Sequence, residues 1–271
     1  MKHAKGPDSE GNSRARLLTE ERRRAILALV DKQGSALISD LSKHFDVSAV
    51  TIRADINSLC ERDLLVRSHG GAFRGSDVVL DSPVEVKAGR HREEKVRIGQ
   101  AAAALVKDNE IILLDSGTTT MEVARAAAAR ELTGLTVITN ALDIAAEMSH
   151  HAGINLILIG GLLRHISRSL VGPQAERMLA GLHVDHLFLG VDGLDPNVGP
   201  STPDVLEAEL NGAMIRIARS VTVVTDASKI GQRSLCTMAP ITAIHRIITD
   251  NSIREEHRKV LSAKGIEVVA V

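Results

Sequence analysis

The 271-residue chain has no tryptophan and no tyrosine, and its only phenylalanines are Phe45, Phe73 and Phe188. Modules that stack RNA bases, grip single strands or cage ammonium groups depend on aromatic rings, so these classes are excluded. Its two cysteines, Cys60 and Cys236, stand far apart with no CxxC and no Cys/His cluster. No zinc site or disulfide framework is therefore expected, and two unpaired thiols fit a reducing compartment. The eleven histidines form no H-x-x-x-H or H-E-x-x-H pattern, so neither metal nor cofactor is expected. There is no apolar run of 18 residues, and the start, MKHAKGPDSEGNSRAR, has no apolar stretch. These absences predict a cytoplasmic protein without a membrane partner.

What is present divides unevenly. A length of 271 residues suggests two domains at roughly 150 residues each. The net charge is −1, but residues 1–75 hold 13 basic and 10 acidic side chains, against 20 and 24 in residues 76–271. A basic first quarter on an acidic body suggests an anionic partner at one end.

Residues 1–16 are polar and rich in charge, Gly and Ser, the composition of a disordered tail. From Thr19 the run EERRRAILALVDKQG spaces Ile26, Leu27, Leu29 and Val30 as a helix, with Gly34 as its C-cap. ISDLSKHF predicts a second helix. Ser48 caps a third, SAVTIRADINSLCERD, expected to bury Val50, Ile52 or Ile56, and Leu59. LLVRSHGGAF then reads as two short strands around a glycine turn. Three helices and a hairpin make a winged helix-turn-helix over residues 17–75. Residues 76–90, with Pro83 and Gly89 as breakers, predict a linker.

Beyond residue 91 apolar runs alternate with helical stretches. The runs fall at 111–115, 135–140, 154–161, 186–193, 220–226, 245–250 and 266–271. Strands that are apolar throughout and alternate with helices predict an α/β domain, 91–271, with a parallel sheet covered on both faces.

Two constellations carry chemistry. A recognition helix reads bases with its N-terminal residues, which makes Ser48, Ala49, Thr51 and Arg53 the candidates. Arg pairs bidentately with guanine, Thr bonds base or phosphate, and Ala touches the thymine methyl. Arg67 and His69, in the hairpin, are candidates for the phosphate backbone. Asp55 has the wrong sign for phosphate and is expected in a salt bridge. The small positive excess implies a homo-oligomer, dimer or tetramer, that joins two half-sites of double-stranded operator DNA.

The second constellation is IILLDSGTTTMEVA. A strand ends at Asp115, and Ser116, Gly117, Thr118, Thr119 and Thr120 then open a helix. One hydroxyl suffices for capping; clustered hydroxyls, a glycine and free helix amides make an anion cradle suited to phosphate. Ligands of open α/β sheets bind outside the strand C-termini. Asn140, Gly160, Gly161 and Asp192 lie at such ends, with Asp226 at a further one. Arg164 and Lys229 are candidates to neutralise a phosphate, and Asp192 and Glu207 to accept sugar hydroxyls. Lys95, Arg168 and His165 are weaker candidates, and Met121, Met148, Met178 and Met214 are read as core.

These residues carry a resemblance. Arg22…Ile26…Val30 and Ser48-x-x-Thr51-Ile52-Arg53-x-Asp55-Ile56 resemble the DNA-binding signature of the DeoR family of bacterial transcriptional regulators. Val66-Arg-Ser-His69-Gly-Gly-Ala72 is similar to that family's R-x-H-G-G-A wing. One departure is Asp63, where the family has Gly; Asp tolerates the left-handed conformation better than most residues. Lys95, Asp115–Thr120, Val137–Asn140, Gly160-Gly161, Gly190–Gly193, Glu207-Ala208 and Asp226–Lys229 resemble the family's C-terminal sensor domain, itself similar to ribose-phosphate isomerases. The resemblance implies a repressor of a sugar catabolic operon, released from its operator by a phosphorylated sugar. Asp115–Thr120 and Leu187–Asp195 are most similar to regulators of amino-sugar (N-acetylgalactosamine) catabolism. The alternative is a sugar-phosphate isomerase-like enzyme with an N-terminal interaction domain. Asp115, Asp192 and Glu207 would be its candidate acids and bases, but an isomerase has no need of a DNA-reading helix.

Overall fold

A computed structural model describes residues 19–33, 35–62, 64–68, 70–73 and 81–271. The tail 1–16, Gly34, Asp63 and His69 lie outside the described residues, and Arg67 is described only as part of a strand.

The N-terminal unit is α1 (Thr19–Gln33), β1 (Ser35–Leu37), α2 (Ile38–Phe45), α3 (Ala49–Cys60), β2 (Val66–Ser68) and β3 (Gly71–Phe73). Glu20 and Glu21 in the first turn of α1 favour its positive end. Helix α2 ends at Asp46, in the left-handed region at φ 52°. Ser48 then caps α3, its side chain accepting from Thr51 N–H. That cap sets the phase of α3: Ile52, Asp55, Ile56 and Leu59 face inward, and Ile52, Ile56 and Leu59 meet Ile26, Val30 and Leu41 in one apolar cluster. Val50, expected in the core, lies two residues off this stripe and is 71% exposed. Buried Asp55 forms the expected salt bridges, with Arg22 Nε at 2.6 Å and Arg23 Nε at 3.1 Å, clamping α3 to α1. Strand β1, which the sequence reading did not anticipate, extends the hairpin into a sheet of order β1-β3-β2. It rests on the second domain through Ser35 Oγ–H donating to Leu235 C=O at 3.0 Å and through Leu37 packing with Val205, Ala208, Leu235 and Cys236.

The rest of the chain runs α4 (Val84–Gly89), α5 (Arg92–Ala103), β4 (Ile111–Leu114), α6 (Thr118–Ala128), β5 (Thr136–Thr139), α7 (Leu142–Met148), β6 (Asn155–Leu158), β7 (Leu162–Arg164), β8 (Ser169–Val171), α8 (Pro173–Leu179), β9 (Val184–Leu189), β10 (Gly193–Asp195), β11 (Gly199–Thr202), α9 (Val205–Ile217), β12 (Ala218–Val224), β13 (Cys236–Thr237), β14 (Arg246–Thr249), α10 (Glu255–Ala263) and β15 (Glu267–Ala270). The seven expected strands form one sheet of order β15-β14-β12-β9-β4-β5-β6, with every pairing parallel. Alternate residues feed opposite faces. Leu113, Leu187 and Leu189 join Leu210, Met214 and Leu261 on one side; Ile112, Leu114 and Phe188 join Ile98, Val123 and Ile144 on the other. A second small sheet, β10-β11-β13, and the hairpin β7–β8 stand apart from it. The segment expected to be a linker contains α4, since Pro83 pre-sets the entry to a helix as readily as it breaks one.

The chain leaves β4 in one direction toward β5 and β6. It returns to the other side of β4 with β9 and continues to β12, β14 and β15. The reversal between β4 and β9 is a topological switch point, where the loops beyond the strand ends part and leave a crevice.

Candidate functional site

The start of α3 presents Ser48, Val50 and Arg53 to solvent. Ser48 Oγ accepts from Thr51 N–H at 3.1 Å and lies 2.9 Å from Thr51 Oγ1, so these two hydroxyls order the helix entry. Arg53 and Val50 are exposed beside them, and Ala49 and Thr51 are half-buried. Val50 is thus a candidate contact that the sequence reading put in the core.

A cavity of about 200 Å³ occupies the switch point. Its floor is the loop after β4. Gly117, at the N-cap of α6, offers no side-chain cap, so the first amides of the helix face the cavity without a capping side chain. Two glycines let the loops meet. A Cβ on Gly117 would stand 2.8 Å from Thr120 Oγ1, and one on Gly190 would stand 3.2 Å from the Gly117 Cα. The buried Asp115 carboxylate accepts from Gly117 N–H at 3.1 Å. Burial raises its pKa to about 6, against the lowering effect of hydrogen bonds from the Gly190 and Gly117 amides.

Facing this floor are Lys95 and Lys229, both lining the cavity. Lys95 is buried and its ammonium donates to the carbonyls of Lys87 at 2.5 Å and Arg90 at 2.6 Å. Burial lowers its pKa, although Asp226 partly offsets this. The opposite wall is acidic. The Thr202 hydroxyl lies 3.2 Å from both Asp192 Oδ2 and Glu207 Oε2, and Ser169 Oγ–H donates to Glu207 Oε1 at 3.0 Å. Burial pushes the Glu207 carboxyl up, while the Arg164 guanidinium counters it. The cavity therefore carries Lys95 and Lys229 near the α6 N-terminus, where Asp115 and Asp226 also line it, and Asp192 and Glu207 on the opposite wall, with the Lys87 ammonium 2.7 Å from Asp192 Oδ1. That arrangement suits a ligand with an anionic group at one end and hydroxyls at the other.

Of the thirteen effector candidates, Asp115, Ser116, Gly117, Thr118, Thr119, Asp192, Glu207 and Lys229 line the cavity. Thr120 is buried beneath it, its hydroxyl within reach of the carbonyls of Gly117 and Asp115 at 2.7 and 3.1 Å. Arg164 stands behind the acidic wall, paired with Asp81, with Asp204 at 3.1 Å and with Glu207 at 3.5 Å. Asn140, Gly160 and Gly161 do not come to the cavity. They end β5 and β6, on the far side of β4 from the switch point. Asn140 Nδ2–H donates to Leu170 C=O at 3.1 Å, and Gly161 (φ 159°) packs against Val171 of the β7–β8 hairpin. Of the weaker candidates, Lys95 lines this cavity and Arg168 a neighbouring groove. Sequence reasoning missed Ser82, Lys87, Arg90, Ser167, Thr202 and Asn211.

A winged helix-turn-helix joined to an α/β domain with a polar cavity at its switch point defines a class: DNA-binding regulators that carry their own sensor. Comparison with known proteins agrees. Residues 22–77 match the DeoR-like helix-turn-helix domain and residues 90–251 the DeoR C terminal sensor domain. A putative aga operon transcriptional repressor of Escherichia coli O157:H7 is 37% identical over 255 residues, covering 93% of this chain and 94% of that protein. The glycerol-3-phosphate regulon repressor of Escherichia coli K12 is 31% identical over 230 residues, 85% of this chain and 90% of its own. Among solved structures, ribose 5-phosphate isomerase A of Methanocaldococcus jannaschii aligns with a TM-score of 0.39 at 20% identity, over 51% of this chain and 54% of that one. The chain belongs to the DeoR family of transcriptional regulators; it is a DNA-binding regulator and not an enzyme. Among the described residues, no helix is long and apolar enough to cross a membrane.

Proposed function

We propose that this chain represses a sugar or amino-sugar catabolic operon and leaves its operator when a phosphorylated sugar fills the switch-point cavity. The observation that carries this reading is the two-sided chemistry of the cavity. The phosphate meets the α6 amides, Ser116, Thr118 and Thr119, with Lys95 and Lys229 as counter-charges, while Asp192 and Glu207 accept the sugar hydroxyls. The names of two relatives point the same way, one repressing an aga operon and one a glycerol-3-phosphate regulon. Ala49, Thr51 and Arg53 read base edges, Ser48 fixes the helix that presents them, and Arg67 and His69 meet the backbone. The DNA-binding unit ends near residue 75, the sensor begins near residue 91, and the working species is a dimer or tetramer that joins two half-sites.

Thermal unfolding against phosphorylated sugars and amino sugars, each beside its unphosphorylated parent, tests the cavity. A binder at a hundredfold excess over its dissociation constant stabilises the native state by about 2.7 kcal/mol. Stabilisation by one phosphorylated compound and not its parent is expected; no stabilisation across the panel refutes the reading.

A further inference from the structure

Lys87 lies outside the matched sensor domain, which begins at residue 90, yet its side chain is part of the cavity wall. Its ammonium reaches Asp192 Oδ1 at 2.7 Å and Asp81 Oδ1 at 3.4 Å. Burial works against that charge, but Asp192, Asp81 and Glu207 outweigh it and hold the Lys87 pKa above the usual lysine range. The same residue is gripped at its backbone, where its carbonyl accepts from the Lys95 ammonium. Arg164 pairs with Asp81 and Val84 N–H donates to Ile166 C=O at 2.8 Å, so α4 is pinned to the sensor at several points. Only residues 74–80 separate Asp81 from the end of β3 in the DNA-binding unit.

We propose that Lys87 is the positioning residue that couples the cavity to the DNA-binding unit: its ammonium latches α4 to Asp192, and a ligand that claims Asp192 opens the latch. This rests on the reading of the cavity as a sugar-phosphate site. Both ends of such a ligand act on the latch. A hydroxyl on Asp192 competes with the Lys87 ammonium, and a phosphate at the α6 N-terminus draws on Lys95, the donor that holds the carbonyls of Lys87 and Arg90. Helix α4 then loosens, and with it the start of the sensor, which follows the DNA-binding unit in the chain. Because a ligand shifts an equilibrium only by its differential affinity for two states, this competition is what makes the two states differ in affinity.

The test compares wild type with Lys87→Met and Lys87→Arg in the full chain. Operator affinity is read on a DNA fragment selected from a random-sequence library, and amide exchange is followed over Val84–Gly89. Lys87→Met is expected to melt near the wild type, to exchange these amides about tenfold faster and to bind DNA at least tenfold more weakly without any sugar phosphate. Lys87→Arg, which keeps the cation, is expected to retain most of the DNA affinity. Wild-type affinity and exchange in a folded Lys87→Met overturn the latch. If Lys87→Met does not fold, wild-type exchange over the same amides decides. Acceleration by the sugar phosphate that raises the melting midpoint supports the latch; unchanged or slowed exchange refutes it. A panel in which no sugar phosphate binds refutes the reading of the cavity instead, and leaves the Lys87→Met comparison to judge the latch alone.

Discussion

Asp115 is wholly enclosed beside a helix N-terminus, and its titration is a direct readout of that burial. Its folded pKa of about 6 lies above its ordinary value of 3.8, so the native state holds the proton more tightly than the unfolded chain does. The stability linked to this carboxyl is fully present below about pH 4 and is lost as pH rises through 6. Asp115→Asn removes the linkage. Urea unfolding from pH 4 to 7 is expected to show wild-type stability falling by about 2 kcal/mol relative to the variant; parallel curves would contradict the burial. At the DNA face, Arg53 is exposed on α3, and Arg53→Ala is expected to weaken operator binding by about 1–3 kcal/mol with unchanged sugar-phosphate affinity. Undiminished operator affinity would remove Arg53 from the reading helix. The cavity residues legible in the sequence, Asp115 to Thr119, Asp192, Glu207 and Lys229, belong to motifs at strand ends or helix starts. Lys87 on α4 and Asn211 on α9 were not legible, because charged and amide side chains on a helix read as solvated surface until the tertiary fold turns them inward.

At the scale of elements, periodicity was a sound guide where burial was two-sided. All seven apolar runs became strands of one parallel sheet; the inner strands β4, β5, β9, β12 and β14 are largely buried and read as apolar runs, while the edge strand β6 is mostly exposed. Short elements escaped. Strand β1 has three residues and α4 six, too few for a period to register; β10 and β11 are similarly short, and β13 gains its pairing from the distant β11. The ends of β5 and β6 lie away from this cavity for a topological reason: the crevice opens where the strand order reverses, between β4 and β9. The α1–α3 clamp is the element contact most open to test. Asp55 is 1% exposed and Arg22 8%, and breaking a buried pair by removing one partner costs about 3–5 kcal/mol. Asp55→Ala is therefore expected to unfold the N-terminal unit first, seen as an early calorimetric transition with the sensor transition unmoved. A single transition at the wild-type temperature would show that the clamp contributes little.

For the molecule as a whole, the two units are joined by the chain that leads to α4 and, among the described residues, by the packing of β1 and Leu37 on Val205 and Leu235. The cavity reaches the base of both: Lys87 belongs to α4, and Glu207 belongs to α9, the helix that carries Val205 and Ala208. Release by a factor of a hundred needs roughly 2.7 kcal/mol of coupling between the sites. The most direct measurement is operator affinity of the full chain with and without saturating phosphorylated sugar, taken beside the unphosphorylated parent at one fixed salt concentration. The account predicts that one phosphorylated compound raises the dissociation constant for operator about a hundredfold while its parent sugar leaves it unchanged. Operator binding indifferent to a sugar phosphate that demonstrably occupies the cavity would contradict it.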